Sequence, residues 1–488
     1  MFECLVLPVI KKSIQNKTYG LALGVAKLTS FSYAQQPHTD EQTALCWRVY
    51  LDDFLQAGRD IAQNLSPLVV HPQSILKIGI VIDSVFNNCS PVTVLFETFK
   101  DIRKLAHPIV ITIYAYNSIP EDDKFLVEKF QNIGVEVVDI AKLRDGLCPE
   151  LDSASERILM LRELMLEHAI QLAIYTHSTP AFIAFAATVG LAPVQVSMSM
   201  GGYYTLHIPE VQGYIAFGLF EESKVIGGHK WNVFPLRSGK NFQVSNMPAL
   251  IELAHHIRHG ELGNYKTVIG CIGRAQKIDS DEFMDVLESI LRAKPDCVFL
   301  WFGKEESLSV KEKMQTRGIL EQCIFQGWAD INVYARVLDI QIDSFPFPLG
   351  IATLQCMSAG TPCVHYFSQE PIETITRYVF LALNDQSGTL DERSSLKKLF
   401  INDVGQTLFL GATNTTKYVE FVHMLIDDVQ FRVEVGNAGR NFMNSFMCDD
   451  LATAEGFTKV LTDLYNNHKQ VFPKIQNNKQ QGVNLWHI

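Results

Sequence analysis

The chain has 488 residues, of which 47% are hydrophobic, and its formal net charge at pH 7 is −11. That length and hydrophobic content suffice for roughly two to three domains, whereas the negative charge argues against a nucleic-acid-binding protein and against electrostatic docking on anionic lipid. No apolar run approaches the roughly 18 residues that a membrane helix needs, so we expect no integral membrane segment. The ten cysteines contain no C-x-x-C pair and several lie within apolar segments, which is typical of free thiols in a cytoplasmic protein.

The first 72 residues have helical patterning without an alternation of strands and helices. Between residues 46 and 65, Val49, Phe54 and Ile61 recur at spacings that suit an amphipathic helix. We therefore interpret residues 1–72 as an N-terminal helical extension. It either binds an acceptor or a partner protein, or serves only to extend the packing of the domain that follows.

Residues 73–240 alternate apolar strands with helices, which predicts a Rossmann-like domain with a parallel sheet and right-handed crossovers. The predicted strands cover residues 76–84, 109–116, 135–138 and 172–175. His177 follows the last of these strands, at the sheet edge where such domains bind ligands, and is a candidate for acceptor handling or base chemistry. The alternative is a histidine that only forms hydrogen bonds within a turn.

Residues 241–430 show the same alternation, and the polar segment 237–246 before it predicts a linker. The stretch from Thr267 onward reads T-V-I-G-C-I-G-R-A-Q-K, a short strand followed by Gly273 and then two cations. Arg274 and Lys277 at the end of a strand can clamp a diphosphate, the arginine through paired donors and the lysine as a point charge. Ordinary solvated basic residues are the alternative.

The segment from Asp343 to Val364 predicts a second ligand-binding junction. A strand at residues 340–342 leads into a loop that contains Gly350, and a helix over residues 351–358 ends at a glycine-then-proline signal. The N–H groups at the start of such a helix have no partner inside it, so they can bind a phosphate. An ordinary turn between a strand and a helix would show the same pattern.

The one D-x-D pattern of the chain, Asp279-Ser280-Asp281, directly precedes an apolar-periodic run over residues 283–291. Acidic residues at that place suit the start of a helix better than a metal site. We therefore expect neither a metal ion nor a bound cofactor.

Four junctions of the C-terminal half resemble, in order and spacing, the nucleotide-sugar half of the GT-B glycosyltransferases. They are residues 273–277, 298–303 and 324–328 and the loop and helix from 350 to 362. The resemblance implies an α/β protein of GT-B fold, in which two Rossmann-like domains face a cleft. It also implies that helices over residues 431–470 cross back to the first domain, ahead of a tail at 471–488.

The resemblance further implies a set of donor-binding residues, namely Gly273, Arg274, Lys277, Gly327, Gly350, Ile351, Ala352 and Gln355. Arg274 and Lys277 would be catalytic by neutralising the diphosphate as the sugar bond breaks, assisted by the backbone amides at the helix start. One residue departs from the family pattern, because Gln355 stands where an acidic residue usually holds the ribose hydroxyls. An amide can still bond to those hydroxyls, but without the charge-assisted bond of a carboxylate.

The N-terminal half resembles the catalytic region of O-linked N-acetylglucosamine transferase and of its bacterial relatives that glucosylate asparagine. The resemblance rests on residues 76–84, 175–178 and 191–202. It implies that Gly201, Gly202 and His207 shape an acceptor pocket. The first-loop histidine of that family is unmatched, and only Thr353 remains of its histidine-threonine-threonine run, so inverting and retaining chemistry both stay open.

These observations predict a metal-independent hexosyltransferase that moves a sugar from a nucleotide-sugar donor, with UDP-sugars favoured, to an acceptor that is a protein side chain or a glycan. A non-catalytic GT-B subunit is the alternative, and Gln355 favours it. A nucleotide-sugar epimerase is a third, weaker possibility. Retention of both Arg274 and Lys277 favours the enzyme, because a decayed site has no physical need for two cations.

Overall fold

The computed structural model describes most of the chain, with gaps. The described ranges are 6–34, 40–68, 75–87, 89–106, 109–145, 154–176, 179–200, 208–226, 228–237, 240, 242–304, 306–345, 348, 350–367, 375–384, 388–449 and 451–468. Within these ranges, no helix combines the length and the hydrophobicity needed to cross a membrane.

The chain begins with three helices, α1 (Leu7–Gln15), α2 (Tyr19–Ala34) and α3 (Asp40–Ala62). Their apolar faces are buried against the domain that follows: Tyr50 and Phe54 of α3 are both inaccessible to solvent, and the ring of Tyr19 lies 5.6 Å from that of Phe185. An ion pair of 2.8 Å between Lys27 and Asp83 joins α2 to the end of the first strand. The N-terminal helices thus share a hydrophobic core with the first domain.

The first domain is built on an eight-stranded sheet. Its strands are β1 (Leu76–Ile82), β2 (Ile109–Ala115), β3 (Glu136–Asp139), β4 (Leu172–Thr176), β5 (Val194–Met198), β6 (Gly213–Gly218), β7 (Glu222–Ile226) and β8 (His229–Pro235). Helices α4 (Ser90–Phe99), α5 (Lys124–Asn132), α6 (Ile140–Asp145), α7 (Ala154–Glu167) and α8 (Pro180–Val189) connect the strands. The strand order is β3-β2-β1-β4-β5-β6-β8-β7, and β7 runs antiparallel to β8. The central strands are buried, which is why they are continuously apolar in the sequence.

The second domain has a six-stranded sheet of parallel strands in the order β11-β10-β9-β12-β13-β14. The strands are β9 (Thr267–Cys271), β10 (Cys297–Trp301), β11 (Cys323–Phe325), β12 (Ile340–Ile342), β13 (Cys363–Tyr366) and β14 (Leu410–Ala412). The helices are α9 (Pro248–His256), α10 (Asp281–Ala293), α11 (Leu308–Thr316), α12 (Ile331–Val337), α13 (Ile351–Ala359), α14 (Ile375–Leu383), α15 (Leu390–Phe400) and α16 (Thr415–Asp427).

Two further helices complete the chain, α17 (Val429–Asn444) and α18 (Ala452–His468). Helix α17 packs on α13 of the second domain, whereas α18 packs on β8 and α4 of the first. Phe457 of α18 lies 5.5 Å from Phe99 and 5.2 Å from Phe234, measured between ring centroids. The chain therefore passes between the domains twice, after β8 and again after α17.

The predicted fold class is confirmed: the protein has two Rossmann-like domains and an N-terminal helical extension. Seven cysteines are free thiols, as predicted, namely Cys89, Cys271, Cys297, Cys323, Cys356, Cys363 and Cys448. The sequence pattern missed the hairpin of β7 and β8, whose turn contains Gly228 at a φ of 82°.

Candidate functional site

The second sheet reverses its strand order between the neighbouring strands β9 and β12. From β9 the chain continues to β10 on one side of the sheet, and from β12 it continues to β13 on the other side. Ligands of such sheets bind in the crevice outside the carboxyl ends of the two strands. The structure places Gly273, Arg274 and Lys277 directly after β9, and Gly350 directly before α13, which follows β12. The two junctions singled out in the sequence therefore meet at the place where this architecture binds ligands.

Helix α13 opens on Gly350, whose backbone has a φ of 65° and a ψ of −118°. Residues with a side chain rarely adopt such a backbone, which explains the glycine. A Cβ added there would meet no atom of the described chain within 4 Å. The N–H groups of Ile351 and Ala352 have no acceptor inside the helix and are available for an anion, together with the positive end of the helix dipole.

The hydroxyl of Thr353, in the first turn of α13, supplies a second observation at the same place. Its side chain is 2% exposed, yet its Oγ1 atom has no hydrogen-bond partner in the described part of the structure. Burying a hydroxyl without a partner costs about 1–3 kcal/mol, so this group calls for a partner such as a water, an ion or a ligand. An oxygen of a bound phosphate would satisfy it.

The two predicted cations are placed differently from each other. Lys277 is half-buried, and its Nζ donates a hydrogen bond to the carbonyl oxygen of Pro348 in the loop that precedes Gly350. Burial lowers the pKa of Lys277, an effect that the negative charge of Asp343 opposes. Arg274 is exposed, and its guanidinium forms no hydrogen bond or ion pair with any residue that the structure describes.

The two cations therefore differ in their contacts, although the sequence assigned both of them to neutralising a diphosphate. Lys277 holds the β12–α13 loop in place, helped by Ser280, whose Oγ donates to the carbonyl of Phe345 at 2.8 Å. None of the five donors of the Arg274 guanidinium is bonded to a described residue. Arg274 is thus the exposed cation at this junction, and Lys277 the one that is bonded to the loop before α13.

The remaining predicted donor residues lie at the same edge of the sheet or on α13. Gly327 follows β11 with a φ of 69°, and its carbonyl accepts a hydrogen bond of 3.1 Å from the N–H of Gly303. Trp328, the next residue, is 65% exposed. Gln355 lies in the second turn of α13, half-buried, and its side-chain amide has no hydrogen-bond partner among the described residues.

On the acceptor side, His177, Gly201, Gly202 and His207 lie outside the described residues. The described end of β1 carries a carboxylate that the sequence reasoning missed, that of Asp83. Its Oδ1 atom accepts hydrogen bonds from Lys27 Nζ at 2.8 Å and from Asn117 Nδ2 at 2.7 Å. The signal was present in the sequence, because this aspartate is the first polar residue after the non-polar run of residues 78–82.

The D-x-D pattern starts a helix, as predicted. The side chain of Ser280 caps α10 by accepting from the N–H of Phe283, and Asp281 is the first residue of that helix. Asp279 and Asp281 both pair with Lys313, at 3.3 and 3.4 Å. The described ranges contain no group of three or more His, Cys, Asp or Glu side chains that could hold a metal ion.

The strand orders and the chain crossing back to the first domain define the GT-B fold, and solved structures share it. No protein-family model matches the sequence, and no curated protein matches it closely enough to establish kinship. A mutant of Thermobaculum terrenum O-GlcNAc transferase superposes with a TM-score of 0.60 at 15% identity, over 96% of this chain and 83% of that one. A glycosyltransferase from Rickettsia africae superposes with a TM-score of 0.53 at 11% identity, over 81% of this chain and 100% of the other. The resemblance inferred from the motifs therefore extends to the whole fold.

Proposed function

We propose that this protein is a metal-independent glycosyltransferase that uses a nucleotide-sugar donor, with UDP-sugars favoured. The observation that carries the proposal is the unpartnered hydroxyl of Thr353, buried in the first turn of α13 at the switch point of the second sheet. A diphosphate would satisfy this hydroxyl and the free N–H groups at the helix start together. The fold of the neighbouring structures supports the same class of reaction.

The reaction needs a group that stabilises the leaving diphosphate as the bond to the sugar breaks. The N-terminus of α13 and the guanidinium of Arg274 would supply this stabilisation, because both present fixed positive charge to the developing anion. Each charge-assisted hydrogen bond of this kind contributes about 1.5–3 kcal/mol. Lys277 would act mainly through the loop that it holds, and its Nζ could turn to the phosphate once the donor is bound.

The rest of the donor would extend away from the diphosphate along the same edge of the sheet. Gln355 would bond to the ribose hydroxyls, accepting from one and donating to another. The glycine at 327 leaves room for a base beside the exposed ring of Trp328. His177, Gly201, Gly202 and His207 are retained as proposals for the acceptor side, with a protein side chain or a glycan as the acceptor.

Isothermal titration calorimetry of the purified protein with UDP, GDP and ADP, each in the presence of EDTA, tests the donor site. We expect UDP to bind without a metal and Arg274→Ala to weaken binding at least tenfold while the melting temperature stays unchanged. Replacement of Arg292, an exposed arginine on the outer face of α10, by alanine is the matched control and should leave the affinity as it is. If none of the three nucleotides binds, the proposal fails.

A non-catalytic nucleotide-binding subunit is the second candidate. The contact of Lys277 with Pro348 and the glutamine at 355 favour it, since both reduce the charge available to the donor. The two functions differ in turnover: an enzyme slowly hydrolyses its donor to UDP and free sugar when no acceptor is present, whereas a binding subunit does not. Release of UDP from UDP-glucose and UDP-N-acetylglucosamine, followed over hours, separates them.

A further inference from the structure

Arg237 lies where the two chain crossings between the domains meet. It is the second residue after β8, at the start of the first crossing, and it touches the second crossing through α18. Its N–H donates to the hydroxyl of Thr453 at 2.7 Å, and that hydroxyl donates back to the carbonyl of Arg237 at 3.1 Å. The backbone of the first crossing is therefore paired with the start of α18, which follows the second.

The guanidinium of Arg237 contacts both domains at once. Its Nε donates to the carbonyl of Leu219 in the first domain at 3.3 Å, and its Nη2 donates to Glu392 of α15 in the second domain at 2.7 Å. Its face lies 4.4 Å from the ring centroid of Phe446, and its Nη1 lies 4.0 Å from a carboxylate oxygen of Asp449, both in the second crossing. Because this side chain is only 14% exposed, solvent screens its charge little.

The carboxylate of Glu392 connects Arg237 to the N-terminus of helix α15. Its Oε1 bonds to Arg237, while its Oε2 accepts from the N–H and the hydroxyl of Thr389, each at 3.1 Å. The hydroxyl of Thr389 in turn accepts from the N–H of Glu392, which completes a capping box at the start of α15. The arginine is thus attached to the helix end itself rather than to a freely moving side chain.

We propose that Arg237 is a positioning residue, an interdomain clasp that fixes the orientation of the two Rossmann-like domains relative to each other. It contacts β6–β7, α15, the second crossing and α18, so a change of domain orientation must break at least one of its bonds. The clasp follows from the contacts alone and does not depend on which ligand the cleft binds. In an enzyme of this fold it would hold the acceptor edge of the first sheet opposite the donor edge of the second.

Hydrogen–deuterium exchange followed by mass spectrometry tests the clasp on the full chain. In Arg237→Met we expect amides in the segments 236–247 and 445–453 to exchange about tenfold faster, since charged hydrogen bonds of this kind are lost there. Amides of the central strands β1 and β9 should exchange as in the wild type. Arg317→Met, which removes an ion pair of 2.6 Å with Asp285 inside the second domain, is the matched control and should leave both crossings unchanged.

Two further variants, Glu392→Gln and Arg237→Lys, test the same contact if Arg237→Met does not fold. Glu392→Gln removes the ion pair but keeps the capping box, because glutamine serves at that position as well as glutamate. It should accelerate exchange at the crossings while exchange within α15 stays slow. Arg237→Lys, which keeps the charge without the forked donors, should give an intermediate rate.

Unchanged exchange at both crossings in Glu392→Gln and Arg237→Met would overturn the proposal. So would equal acceleration throughout both sheets, because that result indicates a general loss of stability rather than a loosened domain orientation. The measurement needs no nucleotide, so its result stands whether or not UDP binds.

Discussion

His365 allows a quantitative prediction about stability and pH. It lies on β13 with 1% of its surface exposed, and its ring is parallel to those of Phe409 and Phe367, with centroids at 4.5 and 6.1 Å. Its Nδ1 atom has no hydrogen-bond partner in the described part of the structure. Burial among these rings lowers the pKa of His365 from 6.5 to about 3, because the charged form would lose its hydration.

The consequence for folding has a definite sign. Below pH 6.5 the unfolded chain binds a proton at His365 and the folded chain does not, so the free energy of unfolding falls as the pH drops from about 6.5 towards 3. From these two pKa values, the loss between pH 7.5 and pH 5.0 is about 2 kcal/mol. Replacing the histidine by phenylalanine keeps a ring of similar shape and removes the proton-binding group.

Urea unfolding of wild type and His365→Phe at pH 7.5 and 5.0 measures this effect. We expect the wild type to lose about 2 kcal/mol more than the variant between the two pH values. The comparison uses only the difference between pH values, so a change of packing that is the same at both cancels. The same substitution at His256, whose side chain is exposed, is the control and should behave as the wild type does. If wild type and His365→Phe lose the same stability, the buried histidine is not the cause.

Three further predictions concern α13 and its surroundings. Thr353→Val keeps the shape but removes the unpartnered hydroxyl, so we expect UDP affinity to fall about tenfold by calorimetry, and an unchanged affinity would place the hydroxyl outside the donor site. Gly350→Ala forces a positive φ on a residue with a side chain and should lower stability by about 1–2 kcal/mol in urea unfolding; a neutral result would contradict the backbone geometry. Gly436→Ala would put a Cβ 2.1 Å from the carbonyl oxygen of Gly360, so it should cost about 1–3 kcal/mol, against less for Gly439→Ala, whose nearest contact would be 3.3 Å. Equal melting temperatures for these last two variants would show that α13 and α17 are not in such close contact.

The fold was predictable because its signals are local. Buried parallel strands read as continuous apolar runs, and the glycine-containing loop at 350 followed by a helical pattern marks a strand-to-helix junction in any sequence. The hairpin of β7 and β8 was not predictable in the same way, since β7 is a short edge strand whose Val225 is exposed. An exposed edge strand of this kind leaves no hydrophobic pattern in the sequence.

The candidate site was predictable in its residues more than in their roles. Sequence motifs assigned both Arg274 and Lys277 to neutralising a diphosphate, but the structure half-buries Lys277 beside Pro348 and leaves Arg274 exposed. The burial of the Thr353 hydroxyl could not be foreseen either, because it depends on how α13 packs against the rest of the domain. Helical spacing says which residues share a face, but it does not say which polar atoms lose their partners there.

The sequence by itself therefore determined the order of the elements, the α/β class and the identity of the residues at the strand ends. Only the tertiary structure decided which distant residues those side chains contact. Lys277 and Pro348 are 71 positions apart, and Arg237 is 155 positions from Glu392 and 216 from Thr453. Local propensity and periodicity extend over a few turns of a helix or one strand, whereas such pairs form only when whole domains have packed and their crossings have met.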